Sequence, residues 1–71
     1  MDRVGVTSSS VASVGYAAET GTLELEYRNG SVYEYFAVPR SVFDSLLAAG
    51  SKGTFVSAWI RGRYPYRRVA G

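Results

Sequence analysis

Five cations and four aromatic side chains are interleaved near the end of the chain, a composition that suits contact with a polyanion. They fall in residues 51–69, SKGTFVSAWIRGRYPYRRV, and no acidic residue follows Asp44. Arginine and lysine neutralise phosphates, and tyrosine rings stack on unpaired bases. The segment therefore predicts an RNA-binding surface, for transfer RNA or for single strands. Its predicted contacts are Lys52, Arg61, Arg63, Tyr64, Tyr66, Arg67 and Arg68.

The same pattern fits two other interpretations. In the first, Tyr64 and Val69 pin an extended tail to the core, and the arginines only keep that tail soluble. In the second, the chain is a protein-interaction module, because the edges of an open sheet can pair with another strand. One form of this module is a homodimer through Val32 and Phe36, which are apolar residues on an otherwise acidic strand face. Salt separates the classes, since RNA binding weakens steeply with salt and apolar contact does not.

Side chains suited to catalysis or to metal binding are scarce. The chain has no histidine and no cysteine, the residues that most often transfer protons or hold zinc. The serines from Ser8 to Ser10 lack a histidine to activate them, and such a run before a strand is typical of a turn or a cap. Ser51-Lys52-Gly53 has too few glycines for a nucleotide loop, so a helix cap is the better interpretation. We predict a protein that is not an enzyme and has no catalytic residue, metal or cofactor.

Alternation of polar and apolar residues predicts the elements that position these side chains. Residues 10–16 are small or β-branched, and residues 22–28 alternate leucine and tyrosine with charged residues. The turn signal Asn29-Gly30 then leads into a third strand at residues 31–36. Three consecutive strands joined by short turns predict an antiparallel meander.

The register of the second hairpin decides which tyrosines are buried. A two-residue turn would pair Leu25 with Glu34 and place a carboxylate among leucines, which is costly. A three-residue turn with Gly30 as a left-handed bulge pairs Leu25 with Tyr33 instead. We therefore predict the bulged turn, in which Tyr33 and Tyr35 belong mainly to the core. The glutamates of both strands then share the other face, which is more typical of a solvated surface than of a cation site.

Two short amphipathic helices follow the strands. Pro39 and Gly50 suit the start and end of the first helix, while Ser51 and Gly62 suit those of the second. Strands followed by helices predict an α+β fold: a three-stranded antiparallel β-meander followed by two α-helices packed on one face. On the second helix the polar side is predicted to carry Thr54, Ser57 and Arg61. The predicted core contains Leu25, Tyr33, Tyr35, Phe43, Leu47, Phe55 and Trp59.

Length and composition define the broad class. A chain of 71 residues with 46% hydrophobic residues forms one small domain, residues 1–71. No segment approaches the roughly 20 apolar residues of a membrane span, and the start of the chain does not resemble a targeting sequence. The sequence therefore predicts a cytoplasmic protein without a membrane partner.

Four stretches match a known pattern: VTSSSVASVGY, NGSVYEYFAVP, VFDSLLAAGSKGTF and IRGRYPYRRV. In them the chain resembles the KTSC domain, a small module named for its occurrence at the C-terminus of some lysyl-tRNA synthetases and also found as a stand-alone bacterial and phage protein. The resemblance implies an RNA-related role without an established activity. Residues 55–57 depart from the family pattern of two aromatics and an asparagine, so a polar contact from that helix face is expected to be weaker here. The matching pattern residues are Gly30, Tyr33, Tyr35, Val38, Pro39, Lys52, Gly53, Arg61 and Tyr64.

Overall fold

Five antiparallel strands form one sheet, and two helices cover one of its faces. The structure, a computed structural model, describes residues 2–71. The helices α1 (Arg40–Ala48) and α2 (Lys52–Trp59) both belong to the connection between the fourth and fifth strands. The strands lie in the sheet in chain order: β1 (Val4–Gly5), β2 (Val11–Ala17), β3 (Thr22–Tyr27), β4 (Val32–Tyr35) and β5 (Tyr66–Ala70).

The α+β class is confirmed, but the three-stranded meander is wrong because the sheet has two further strands. β1 has two residues, too few for alternation to be visible in the sequence. β5 contains the residues that were predicted to form an extended tail. It pairs with β4, and Tyr66 lies opposite Tyr35. The arginine-rich end of the chain is therefore an edge strand of the sheet.

The predicted register of the β3–β4 hairpin is confirmed. Leu25 lies opposite Tyr33, and Leu23 lies opposite Tyr35. Gly30 has a φ of 91°, a left-handed conformation that glycine adopts without a steric penalty. As a consequence, the leucines and tyrosines of the hairpin face the helices, and its glutamates share the outer face of the sheet.

The core lies between the sheet and the two helices. Leu25, Tyr35 and Phe43 are buried as predicted, whereas Tyr33 and Phe55 are only half-buried. The prediction is wrong for Leu47 and Trp59, which are 40% and 54% exposed. The buried cluster comprises Val11, Val14, Leu23, Leu25, Tyr35, Val38, Phe43, Leu46, Val56 and Ile60.

The two wrong core predictions have one physical reason, which is the narrow contact of each helix. α1 buries Phe43 and Leu46, while α2 buries Val56 and, directly after its last turn, Ile60. Each pair is three or four residues apart and forms a single line along the helix. Helices of 9 and 8 residues make only this line of contact with a small sheet. Val42 and Phe55, beside this line, still pack against the edge of the core, whereas Leu47 and Trp59 face largely into solvent.

The caps explain where α2 begins. Ser51 occupies the N-cap, and its Oγ accepts a hydrogen bond from the Thr54 amide at 3.4 Å, so the predicted cap is confirmed. The helix ends at Trp59 with Ile60 as its C-cap, so the predicted end at Gly62 is wrong by three residues. Gly62 has a φ of 79° in the turn that leads the chain back toward β5.

Candidate nucleic-acid interface

The seven predicted contact residues do not form one surface. Lys52 is engaged by α1: its Nζ donates hydrogen bonds to the Leu47 carbonyl at 3.1 Å and to the Ala49 carbonyl at 2.5 Å. A cation at these carbonyls satisfies acceptors at the end of the helix and interacts favourably with its dipole. Lys52 is also only partly exposed. In this position Lys52 caps the end of α1.

Arg63 and Tyr64 lie in a groove between the two helices. The Arg63 Nε donates to the Ala58 carbonyl at 3.0 Å, and its guanidinium lies 5.0 Å from the centre of the Trp59 ring. Tyr64 is half-buried in the same groove, which has a volume of about 600 Å³. The groove is also lined by Ser41, Val42, Ser45 and Phe55.

Arg67 lies on the outer face of the sheet, away from the helices. It is opposite Glu34 in the β4–β5 ladder, and its Nε lies 3.0 Å from a Glu34 carboxylate oxygen. The Arg3 Nε lies 3.4 Å from Glu24 on the same face. Arg67 and Arg3 on the outer face are therefore paired with carboxylates. Arg67 is also poorly placed to contact the same ligand as Tyr66 and Arg68, because those residues point to the other face.

The outer face also bears on the predicted homodimer. Val32 does lie on this face, opposite Glu26, but it is only 8% exposed and so offers little apolar surface. Phe36 is half-buried, and its amide donates to the Pro65 carbonyl at 2.8 Å in the connection to β5. The homodimer through these two residues stays a prediction.

The remaining predicted contacts, Arg61, Tyr66 and Arg68, lie on the helix side of the sheet. Arg68 is opposite Tyr33 and Tyr66 is opposite Tyr35, so both point to the face that carries the tyrosines of the hairpin. The Arg68 guanidinium donates to the Ser31 Oγ at 3.4 Å and to the Gly71 carbonyl. Tyr66 is 59% exposed.

Four tyrosines meet beside these arginines, and we call them the tyrosine cluster: Tyr27, Tyr33, Tyr35 and Tyr66. The rings of Tyr27 and Tyr33 meet edge to face at 5.6 Å, and Tyr66 lies 5.7 Å from Tyr33 and 5.6 Å from Tyr35. Such contacts hold the rings in fixed orientations. The cluster therefore ranges from a buried floor, Tyr35, to an exposed edge, Tyr66.

The floor of the tyrosine cluster is uncharged. Tyr35 is 3% exposed, and its hydroxyl lies 3.3 Å from that of Tyr27. Burial, and after it the hydrogen bond with Tyr27, raises the pKa of Tyr35 far above the usual value of a tyrosine. The nearby Arg61 guanidinium acts in the opposite direction but does not reverse the shift. Tyr35 is therefore a neutral hydroxyl at any physiological pH.

Arg61 lies between two adjacent pockets. The smaller pocket, of about 200 Å³, is formed by Arg61, Asn29 and three members of the tyrosine cluster, and we call it the tyrosine–asparagine pocket. The larger one, of about 490 Å³, opens between α2 and the start of β2, and we call it the serine pocket. Tyr27 and Arg61 line both of them. The other residues of the serine pocket are Ser9, Ser10, Ser51, Gly53, Thr54, Val56 and Ser57.

Local sequence explains how the serine pocket is built. Thr54 and Ser57 line the pocket from α2, whereas Arg61 lines it from the turn that follows the helix, so the predicted place of Arg61 on the helix itself is wrong. The start of α2 approaches Ser10 so closely that a Cβ at Gly53 would overlap the Ser10 Oγ. The predicted turn role of the serines is confirmed for Ser8, whose Oγ accepts hydrogen bonds from two following amides at 3.2 Å.

The sequence interpretation missed the contributions of Tyr27, Asn29 and Tyr33 to this site. The alternation of the hairpin had placed its tyrosines on the helix side, where burial by the helices was the simple expectation. One signal was present: a helix of 8 or 9 residues is only about 12–14 Å long. Two such helices cannot cover every strand of a sheet, so some tyrosines had to remain at an open edge. Tyr33 is indeed only half-buried.

The part of the chain that the structure describes contains no helix long and apolar enough to cross a membrane. The same residues contain no group of three or more acidic, histidine or cysteine side chains placed to hold a metal ion. Each glutamate of β3 and β4 has another partner: Glu24 and Glu34 pair with arginines, and Glu26 accepts a hydrogen bond from the Ser13 hydroxyl at 2.8 Å.

Comparison with known proteins gives matches in both sequence and structure. The model of the KTSC domain family matches residues 7–64. A crystal structure of a KTSC domain protein from Yersinia pestis superimposes with a TM-score of 0.92 and 33% identity, over 96% of each chain. The fold and the sequence therefore agree on the same family.

Two kinds of relative differ in how much of their length is matched. An uncharacterized protein of Stutzerimonas stutzeri is 41% identical over 70 residues, which cover 97% of this chain and 99% of that protein. A lysine–tRNA ligase of Trichormus variabilis is 39% identical over 62 residues, which cover 87% of this chain. The chain spans only 11% of the length of this ligase, so the similarity concerns a small part of the larger protein.

Proposed function

The chain belongs to the KTSC domain family, and we propose that it is a non-enzymatic module that binds RNA with unpaired bases. The proposed surface consists of Arg61, Arg68 and the tyrosine cluster. A lysine–tRNA ligase that contains a matching segment acts, by its name, on an RNA, which supports an RNA partner. That similarity covers one segment of the ligase and gives no residue a role, so the proposal depends on the surface itself.

The observation that carries the proposal is the position of Arg61. Within residues 2–71 its guanidinium makes no ion pair, whereas Arg3, Arg40 and Arg67 each face a carboxylate. Arg61 instead adjoins aromatic rings and hydroxyls. An unpaired guanidinium beside tyrosines offers both interactions that unpaired RNA uses, phosphate neutralisation and base stacking.

The sheet strengthens this surface by separating the charges. The glutamates of β3 and β4 lie on the outer face, while Arg61 and Arg68 lie on the helix side with the tyrosine cluster. The sheet therefore shields the phosphate backbone of an RNA bound on the helix side from these carboxylates. Three of the seven predicted contacts are proposed to act directly, namely Arg61, Tyr66 and Arg68. Lys52, Arg63, Tyr64 and Arg67 are proposed to have structural roles.

Binding of labelled single-stranded RNA and of transfer RNA, followed by fluorescence anisotropy, tests this proposal. Replacing Arg61 and Arg68 by glutamine should weaken binding strongly and leave the melting temperature nearly unchanged, because exposed substitutions have small effects on stability. Arg67→Gln is the matched control, since it removes one charge from the outer face. Absence of salt-sensitive binding at tens of micromolar, the range of non-specific contacts at ~10⁻⁴–10⁻⁶ M, would refute the proposal.

A second candidate function, a protein-interaction module, is favoured by the groove between the helices. Trp59 is 54% exposed there and lies next to Phe55, an arrangement that suits an apolar partner residue. The free edge of β5 offers a further place for strand pairing. Binding through this groove would be insensitive to salt and would be lost in Trp59→Ala, whereas RNA binding would be retained in that variant.

A further inference from the structure

Arg61 and the two pockets beside it carry an inference that deepens the proposed function and rests on it. We propose that they form a subsite for one unpaired nucleotide, with its phosphate on Arg61 at the serine pocket and its base in the tyrosine–asparagine pocket. The ligand chemistry is a nucleoside monophosphate unit, either free or within an RNA strand.

The phosphate position follows from Arg61 and the hydroxyls around it. A guanidinium has five N–H donors in a planar fork that matches two phosphate oxygens. In the described chain the Arg61 side chain has no hydrogen-bond or ion-pair partner, although its own backbone amide is held by the Val56 carbonyl at 2.9 Å. The donors are therefore free while the residue itself is fixed to the end of α2.

The serine pocket is lined by hydroxyls and contains no carboxylate. Within residues 2–71 the hydroxyls of Ser9, Ser10 and Ser57 have no partner, so they remain available to donate. A cation with neutral donors and no acidic group favours an anion over a cation or a neutral solute. With a volume of about 490 Å³ the pocket has room for a sugar as well as a phosphate.

The base position follows from the fixed polar groups of the tyrosine–asparagine pocket. The Asn29 Oδ1 accepts a hydrogen bond from the Ser31 amide at 3.0 Å, which leaves the Nδ2 donors of that side chain free. The hydroxyls of Tyr27 and Tyr35 share one hydrogen bond, so one O–H and several lone pairs remain unused. Preoriented donors and acceptors beside an aromatic ring are the usual means of recognising the polar edge of an unpaired base.

The two pockets belong together because Tyr27 and Arg61 line both. A phosphate and a base that occupy adjoining pockets can come from one nucleotide, joined by its sugar. In a duplex the polar edge of the base is already paired and stacked, so it cannot enter a pocket of about 200 Å³. The subsite therefore selects unpaired nucleotides.

Titration of the ¹⁵N-labelled protein with nucleoside monophosphates, followed by NMR, tests the subsite. Each of the four ribonucleoside 5′-monophosphates, inorganic phosphate, a single-stranded RNA and the duplex of the same sequence are compared. At least one monophosphate should shift the signals of Ser10, Asn29 and Arg61 and should compete with the single strand, and the duplex should bind more weakly. Arg61→Gln should reduce monophosphate affinity about tenfold or more.

A pair of tyrosine variants separates base recognition from general binding. Tyr27→Phe removes one hydroxyl and keeps the ring, and it should weaken the preferred monophosphate about 2–10-fold without changing the affinity for inorganic phosphate. Tyr64→Phe removes the same atom in the groove between the helices and should have no effect. If both variants bind the preferred monophosphate with the same affinity, the assignment of the base pocket is overturned.

The remaining outcomes distinguish this inference from the proposed function. If single-stranded RNA binds but no monophosphate shifts these signals at millimolar concentration, the subsite is refuted and RNA binding still stands. If monophosphates bind and RNA does not, the subsite is supported as one for free nucleotides, and the RNA proposal is refuted.

Discussion

Two neighbouring leucines of α1 give the sharpest test of how the helices pack. Leu46 is fully buried, whereas Leu47 is 40% exposed. Truncating a buried leucine to alanine costs about 2–5 kcal/mol, and a domain of 71 residues has a total stability of about 4–10 kcal/mol. At the middle of both ranges, Leu46→Ala should therefore remove about half of the stability. Leu47→Ala should cost about 1 kcal/mol or less, because its side chain is partly in water already and alanine favours the helix.

Urea unfolding followed by circular dichroism measures both variants. With a slope of about 1 kcal/mol per molar urea, a loss of about 3 kcal/mol lowers the midpoint by about 3 M. A loss of about 5 kcal/mol would unfold a domain whose total stability is about 4 kcal/mol even without denaturant. Ile60→Val, expected to cost about 0.5–1.5 kcal/mol, keeps the test quantitative in that case. Equal losses at positions 46 and 47, or a larger loss at 47, would mean that α1 is rotated about its axis and would refute the packing described above.

Three further predictions concern the hairpin, the buried tyrosine and the charge of the surface. Gly30→Val should destabilise the domain by about 1–2 kcal/mol through backbone strain alone, because no atom lies within 4 Å of a Cβ at this position. Gly30→Asn should cost less, since asparagine tolerates the left-handed conformation better. Equal urea midpoints of the two variants would contradict this prediction. The raised pKa of Tyr35 means that its contribution to stability is complete below the pKa of an unfolded tyrosine, about 10, and is lost as the pH rises above it. Tyrosinate absorbance should therefore show one tyrosine that ionises only at higher pH, and Tyr35→Phe should flatten the alkaline loss of stability; an unchanged profile would exclude Tyr35 as its source. For RNA binding, two acting cations, Arg61 and Arg68, give a logarithmic salt slope of about −1.4, at ~0.7 per contact, whereas a slope near −3.5 would indicate that all five cations touch RNA.

The hairpin was predictable because one register was much more costly than the other. Burial of Glu34 among leucines was the alternative, and the structure has the register that avoids it. The cap of α2 was predictable for a similar local reason, since Ser51 stands at the boundary between a turn and a helical pattern. Features decided by neighbours along the chain or directly across one hairpin were thus accessible from sequence.

Features decided by distant parts of the chain were not accessible. The strand β5 follows Pro65, carries Arg67 and Arg68 and has no buried residue, so its sequence resembles a solvated tail. Its strand structure comes from the ladder with β4. The functional assignment of the five cations depended on this strand, because pairing sends Arg67 to one face and Arg68 to the other. Alternation along a strand separates neighbours in sequence, and only the sheet shows which neighbour meets which partner.

The connection between β4 and β5 has a consequence for the order in which the molecule assembles. Tyr35 and Tyr66 are paired although 31 positions separate them, so the closing of this loop costs about 3 kcal/mol of chain entropy. The hairpin β3–β4 closes over a few residues and can form far earlier. Since every residue of β5 is exposed, this strand has little apolar burial to hold it and belongs to the least stable part of the sheet. Transient release of β5 from an otherwise folded domain would uncover the Tyr33 ring and carry Arg68 away from it, so the proposed RNA-binding surface would open and close on the timescale of local unfolding.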